Sequence, residues 1–388
     1  MGWKHGPQAR GPRVLCSFAV GVWMTLWSGF AGSGEVAAQE MDARAPQTAA
    51  YLDYHPSPYP RFRVSLDSLE QFTLNRMTGN RAGRLAFLDY MDEQVVMFEA
   101  GTRESAGASI RKIGGGQGEG PMEFGNSFDV KFAADDRILV ADLSNSRISE
   151  WDSDGRFVKG ISMDELIPSR MAVCQDRSLY LVLQNYTRNG MFARIDSEGE
   201  VLKIFQRISR FSRQSVFHRD GSVVCDRGDL IYSAYYFDFI RRYRPDGTLV
   251  YSRSIMGFEP NKTLVISGSN EMGSYITRSP DARRSVGEME LMGGKLFLGY
   301  SDHTDGLMRR IDIYDPETGD YESTIPMPEL FEEFTLDAGG IFVVTPPFEN
   351  TPAELVLYDW PSELAGLMRK SEGERTHMTD SGNTSSNP

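Results

Sequence analysis

Cysteine is rare in this chain: three residues in 388, one of them, Cys16, at the edge of an apolar N-terminal run. At most one disulfide can form, so a cross-linked miniature scaffold and a cysteine-rich zinc module are both excluded. Histidine is almost as rare. Outside the first and last segments only His55, His218 and His303 remain, and His55 lies in a proline-rich leader. A three-histidine zinc centre is therefore not expected. Positive charge is also in deficit, with 41 Lys and Arg against 54 Asp and Glu and a formal net charge of −13. Such a surface is repelled as a whole by nucleic acid and by anionic membranes. No P-loop, HExxH or nucleophile-elbow motif occurs. After Val14–Phe30 no further run is long and apolar enough to span a bilayer.

The beginning of the chain has the form of an export signal. Lys4, Arg10 and Arg13 make a basic start, Val14–Phe30 is uncharged and mostly apolar, and Val36-Ala37-Ala38 supplies small residues for cleavage. Segment 1–38 is expected to be removed, with an uncleaved anchor as the alternative. Loss of Lys4, Arg10, Arg13 and Glu35 takes the formal charge from −13 to −15. A periplasmic or extracellular location is expected, with no membrane attachment after cleavage. Residues 39–60 contain Pro46, Pro56, Pro58 and Pro60 and read as an extended leader. Residues 361–388 are polar and expected to be disordered after a short helix at Ser362–Arg369.

Between them the informative stretch is Lys112–Gly160. A Gly-rich loop closes at Gly120-Pro121, and an alternating run Phe128–Phe132 follows. Asp135-Asp136 makes a turn, Ile138–Ala141 reads as a buried strand, and Asp142–Ser146 makes a second turn. Arg147–Trp151, the hairpin Asp152-Ser153-Asp154-Gly155 and Arg156–Ile161 complete the stretch. Four short strands joined by tight turns in that span form a meander, and meanders of this period build propellers. The hairpin glycines Gly155, Gly199 and Gly247 count further repeats at intervals of 44 and 48 residues. The fold class is therefore all-β: a six-bladed β-propeller of four-stranded antiparallel blades over residues 61–360, its ring closed by an N-terminal strand at Arg61–Leu66. The first blade is placed at Arg84–Ile113 and the third at Arg170–Phe205. The fourth follows at Ser222–Ile255 and the fifth at Ser285–Ile325. The sixth holds Glu333–Leu336, Gly340–Val344 and Glu354–Asp359.

The same stretch resembles the NHL repeat. The resemblance is carried by Gly118-Glu119-Gly120-Pro121-Met122-Glu123-Phe124, Val140-Ala141-Asp142 and Asn145-Ser146-Arg147-Ile148. It implies a six-bladed, TolB-like ring and no particular activity. The RNA-binding members of that group are disfavoured by the acidic charge. Propeller lactonases and antibiotic-opening lyases hold calcium, magnesium or zinc on the central axis, but their motifs are not matched residue by residue here.

Gly247 and Gly319 are 72 residues apart, so the fifth blade carries roughly 25 residues beyond the usual connection. The excess falls in Met256–Arg284, expected as a lid or wall over the ring. Cys174 and Cys225 each precede the first leucine of a strand, Leu179 and Leu230, by five positions. They thus occupy equivalent places in neighbouring blades. Face-to-face sheets stand about 10 Å apart, beyond disulfide reach, so two buried thiols are expected.

Asp142 and Arg147 read as repeat structure: a turn aspartate capping amides and an arginine bracing it. The aspartates of the Asp-x-Asp-Gly hairpins read as turn formers rather than calcium ligands. Asp302, His303 and Asp305, in the turn after the second strand of blade five, are the candidates for a metal or acid–base site. Arg207–Arg253 is rich in arginine and aromatics, a composition suited to anionic peptides or sugars. The ligand-binding candidates are Arg213, His218, Arg219, Tyr235, Tyr236, Arg278, Arg283 and Arg284. The competing view has those aromatics packed between blades with the arginines facing solvent. The expected role is a binding scaffold for a peptide, glycan or protein partner, with no cofactor. The alternative is a metal-dependent lyase or hydrolase with calcium, magnesium or zinc on the axis. A third reading, a structural partner in an envelope complex, would place contacts on the outer blade edges.

Overall fold

The computed structural model describes residues 45–47, 52–66, 74–80, 83–99, 109–163, 166–184, 190–206, 217–261, 263–270, 273–301, 306–348 and 351–368. Strand β1 (Phe62–Ser65) precedes blade I, which comprises β2 (Leu74–Gly79), β3 (Arg84–Asp89), β4 (Gln94–Glu99) and β5 (Ser109–Ile113). Blade II comprises β6 (Ser127–Phe132), β7 (Ile138–Asp142), β8 (Arg147–Trp151) and β9 (Phe157–Ser162). Blade III is β10 (Pro168–Val173), β11 (Leu179–Leu183), β12 (Phe192–Ile195) and β13 (Val201–Phe205). Blade IV is β14 (Gly221–Asp226), β15 (Asp229–Ala234), β16 (Ile240–Tyr243) and β17 (Leu249–Arg253). A hairpin, β18 (Val265–Asn270) and β19 (Gly273–Arg278), then intervenes. Blade V is β20 (Val286–Met292), β21 (Lys295–Tyr300), β22 (Met308–Tyr314) and β23 (Tyr321–Phe331). Blade VI is β24 (Glu333–Asp337), β25 (Gly340–Thr345) and β26 (Glu354–Tyr358), with β1 as its fourth, outer strand.

Each blade is an antiparallel meander, and the first strands β2, β6, β10, β14, β20 and β24 pack on one another in a closed cycle around the axis. β1 pairs with β26 from Phe62↔Leu357 to Ser65↔Glu354, so the closing strand lies within Arg61–Leu66 as its sequence indicates. Closure removes the free edge that an open sheet would present. The leader continues that work on neighbouring blades. Ala45 bridges to Arg253 on the outer strand of blade IV, and Asp53 bridges to Thr324 on the outer strand of blade V. Gln47 donates to the carbonyls of Ser254 and Gly319, both at 2.9 Å.

The apolar core is divided into six clusters, one in each space between adjacent blades. Between blades III and IV, Phe192, Tyr232, Phe239 and Tyr243 pack with ring centroids from 4.9 to 6.0 Å apart. Aromatic pairs of this kind add about 0.5–1.5 kcal/mol each beyond their buried area. The arginines of this region do not all face solvent. Arg219, Arg241 and Arg242 are buried, Arg242 between Asp226 and Asp229 at 2.8 Å each.

The lead-in loop of blade II is held by its own polar residues. Asp142 accepts from the amides of Gly125, Asn126 and Asn145 at 3.0–3.2 Å, and Arg147 donates to the Glu123 carbonyl while lying 3.6 Å from Asp142. Phe124 fills the core beneath. In the hairpins, Asp152, Asp196 and Asp315 accept backbone amides two residues on, and Gly155, Gly199 and Gly319 take the left-handed conformation. These aspartates are turn formers.

Three expectations are corrected. Cys174 and Cys225 form a disulfide, with Cα atoms 5.3 Å apart. The 10 Å spacing holds between sheet faces, but blades radiate from the axis and their innermost strands converge. Cys174 follows β10 directly and Cys225 lies in β14, both innermost. Blade I begins at Leu74 and not at Arg84, because β2 is a strand whose polar Asn75, Arg76 and Thr78 conceal it. Blade III likewise begins at Pro168 and not at Arg170. The inserted segment 256–284 folds part of its length into the β18–β19 hairpin. Residues 362–368 are helical, at the place expected.

Candidate functional site at the propeller axis

Each innermost strand carries a three-residue step whose middle member enters an inter-blade core. These middle residues are Met77, Val130, Met171, Val223, Met289 and Phe334. The flanking residues make two rings about the axis. One ring is Arg76, Asp129, Arg170, Ser222, Glu288 and Glu333; the other is Thr78, Lys131, Ala172, Val224, Glu290 and Thr335. Register shifts occur just before Arg76, Asp129 and Arg170 and across Glu288. Such irregularities bend the strand and re-aim the adjoining side chain.

The first ring is a buried ionic network. Arg76 donates to Glu288 at 2.7 Å and to Glu333 at 2.6 Å, joining blades I, V and VI. Glu288 also accepts from the Tyr235 hydroxyl at 2.6 Å and the Ser222 hydroxyl at 2.9 Å. Asp129 accepts the Met171 amide at 2.8 Å, and Ser222 accepts the Met289 amide at 2.9 Å, so side chains of one blade cap the next. Arg170 donates to the Phe128 and Ser169 carbonyls at 3.1 and 2.8 Å. Arg284 covers the assembly, its guanidinium 4.0 Å from the Tyr235 ring centroid.

Charge on the axis is balanced. Arg76, Lys131, Arg170 and Arg284 stand against Asp129, Glu288, Glu290 and Glu333. Burial works against ionisation of Glu288, but Arg76, Lys131 and Arg170 outweigh it and hold its carboxyl below the usual range. Glu333 behaves oppositely. Burial pushes it up to about 7, against the pull of Arg76 and with the help of Glu288. Glu290 is likewise raised by burial to about 7, although Lys131 and a hydrogen bond from Thr335 oppose the shift.

The second ring opens into a cavity of about 300 Å³. Its lining comes from the ends of all six innermost strands and from the turns that follow them, so it is the axial mouth on the tight-turn face. Lys131 and Glu290 reach it from blades II and V, which are opposite in the ring. Ala172, Val173 and Val224 form an apolar wall, with the Cys174–Cys225 disulfide beside it.

The described members of the proposed ligand set belong to the other face, where the inter-blade connections lie. Tyr235 and Arg284 join the axial network, Tyr235 buried and Arg284 part-buried. Arg219 is buried and donates to the Leu183 carbonyl at 2.6 Å. His218 stacks on Phe237 with centroids 3.7 Å apart. Arg278 donates to the Tyr236 hydroxyl at 2.8 Å, while Arg283 pairs with Glu259 at 2.9 Å near the surface. Arg213, Asp302, His303 and Asp305 lie outside the described residues. Among the described residues no cluster of three or more His, Cys, Asp or Glu has metal-binding geometry. Sequence reasoning missed Arg76, Asp129, Lys131, Arg170, Glu288, Glu290 and Glu333. The available signal was a polar-apolar-polar step opening four of the six blades.

No family model matches the chain, and no curated protein matches it. Among solved structures, a Bacteroides fragilis protein described as exported aligns at a TM-score of 0.51 and 12% identity, over 80% of this chain and 99% of its own. A streptogramin B lyase aligns at 0.45 and 9% identity, over 74% and 93%. A gluconolactonase from Xanthomonas campestris aligns at 0.46 and 12% identity, over 74% and 87%. The first of these likenesses shows the propeller fold and nothing finer.

Proposed function

We propose that the chain is an exported propeller of the NHL-like, TolB-like kind, acting as a non-catalytic binding scaffold for a peptide, glycan or protein partner. The observation that carries this reading is the neutralisation of the axis. A catalytic cation there would need several carboxylates free to ligate it, whereas Glu288 and Glu333 share Arg76, Asp129 is occupied by backbone amides, and Glu290 alone reaches the open mouth. The disulfide supports export, since such bonds persist in oxidising compartments. The partner surface is the loop face, where the insertion places Arg278 on Tyr236 and Arg283 beside it.

The test is the metal content of the mature protein dialysed without chelator, with its melting temperature measured with and without EDTA. No stoichiometric ion and no change in melting are expected. One tightly held ion per chain, with a lower melting temperature on chelation, overturns the scaffold reading in favour of a metal-dependent lyase or hydrolase. Peptide and glycan arrays probed with the parent and an Arg278→Ala/Arg283→Ala variant then test the surface. Capture that is unchanged by the double variant removes the loop face as the site.

A further inference from the structure

The cavity on the turn face has six charged residues in its lining: Lys131, Asp136, Asp226, Arg227, Glu290 and Asp337. Four are committed to structure. Asp136 pairs with Arg84 at 3.0 Å, Asp226 with Arg242 at 2.8 Å, and Arg227 with Glu317. Asp337 accepts the Gly339 and Gly340 amides at 2.7 and 2.8 Å. Lys131 differs. Among the described residues its ammonium makes no hydrogen bond and no ion pair; burial opposes its charge, but Asp129, Glu290 and Glu288 outweigh burial through space and keep it charged. Glu290 holds one hydrogen bond, from Thr335 at 3.2 Å, and leaves its second oxygen to the cavity.

An ammonium and a carboxyl thus face each other across the mouth without closing into an ion pair. Three ammonium donors and one carboxylate oxygen are left for an occupant. Between them stands the apolar wall of Ala172, Val173 and Val224. The volume, about 300 Å³, equals that of roughly ten waters in the liquid. It therefore suits a small molecule and not a polymer.

We propose that this mouth binds a free α-amino acid with an apolar side chain. The ligand carboxylate accepts from Lys131, its ammonium donates to Glu290, and its side chain lies on the wall between blades III and IV. A charged pair of groups on the ligand replaces the solvent that both protein groups would otherwise hold, and each contact is charge-assisted. A peptide end offers only one of the two charges beside its side chain, so the free amino acid is the better match. The site is on the opposite face from the proposed partner surface and does not depend on it.

The experiment is calorimetric titration of the full mature chain with L-leucine, L-methionine, L-phenylalanine and L-valine at neutral pH. The controls 4-methylpentanoate and 3-methylbutylamine keep the body of leucine but lack the ammonium or the carboxylate. Saturable binding of one molecule per chain by at least one amino acid is expected, with both controls weaker by tenfold or more. Lys131→Met and Glu290→Gln should each weaken binding at least tenfold while retaining the parent's circular dichroism and cooperative melting. No binding of any of the four up to millimolar concentration overturns the proposal. So does equal binding of either control, or binding unchanged by Lys131→Met in a folded variant. Recovery of the amino acid unaltered after incubation is expected. Its conversion would leave the site standing and defeat the non-catalytic reading instead.

Discussion

Replacing Arg76 by methionine is the sharpest test of the axial network. The guanidinium serves Glu288 at 2.7 Å and Glu333 at 2.6 Å, with side-chain exposures of 8%, 5% and 7%. Removing one partner of a buried pair leaves an uncompensated charge and costs about 3–5 kcal/mol. That is a large part of a typical stability of roughly 5–15 kcal/mol. The two carboxylates will not suffer equally. Glu288 keeps the Tyr235 and Ser222 hydroxyls, whereas Glu333 has no other hydrogen-bond donor among the described residues. Glu333, already raised to about 7, should therefore take up a proton, and the destabilisation should shrink at pH 5.5 relative to pH 8. Urea unfolding at both pH values measures the difference. Adding Glu333→Gln to Arg76→Met should restore about 0.5–3 kcal/mol at pH 8, since coupled neighbours depart from additivity by that much. Equal losses at the two pH values, together with strictly additive effects of the two substitutions, would refute the network as described.

Two further outcomes are expected. The Cys174–Cys225 bond closes a loop of sequence separation 51, for which the chain-entropy model gives a stabilisation of about 4 kcal/mol. Reductant should therefore lower the melting temperature of the parent and leave Cys174→Ser, already lowered, unchanged; a parent insensitive to reductant would mean the bond does not form. Burial raises Glu290 from 4.5 to about 7, so its neutral form favours the fold. Its contribution is complete below about pH 4.5 and lost as pH rises through 7, a change of up to roughly 3 kcal/mol at 1.36 kcal/mol per pH unit. Glu290→Gln should flatten the fall in stability between pH 5 and 8, and a variant with the parent's slope would show that Glu290 is not the titrating group.

The outer architecture could be read from local chemistry because local chemistry specifies it. Asp152, Asp196 and Asp315 demand turns by capping amides two residues away, and Gly155, Gly199 and Gly319 adopt backbone angles that other residues avoid. The closing strand was readable for the same reason, since Phe62–Ser65 borders a proline leader and has a place in the ring. The axis could not be read in that way. Arg76 in β2 or Glu288 in β20, taken alone, looks like the solvent side of an alternating strand. The two are 212 residues apart and become partners only when the ring closes. The cysteine pairing failed by the same route, because a spacing valid between sheet faces does not describe strands converging on an axis.

What remains readable is the recurrence: Arg76-Met77-Thr78, Asp129-Val130-Lys131, Glu288-Met289-Glu290 and Glu333-Phe334-Thr335 each open a blade. In a sheet with one wet face such a step is ordinary. In the first strand of a closed ring it is not, because that strand faces neighbours on either side and the axis at its edge. Polar flanks there must either find one another or enclose water. The first ring takes the former course, leaving Arg76 Nε and Glu333 Oε2 buried without a partner among the described residues. The second ring, with Lys131 unpaired among the described residues and Glu290 half engaged, takes the latter and surrounds a cavity. One end of the axis is therefore closed by charge pairing, and the proposed amino-acid site belongs to the other.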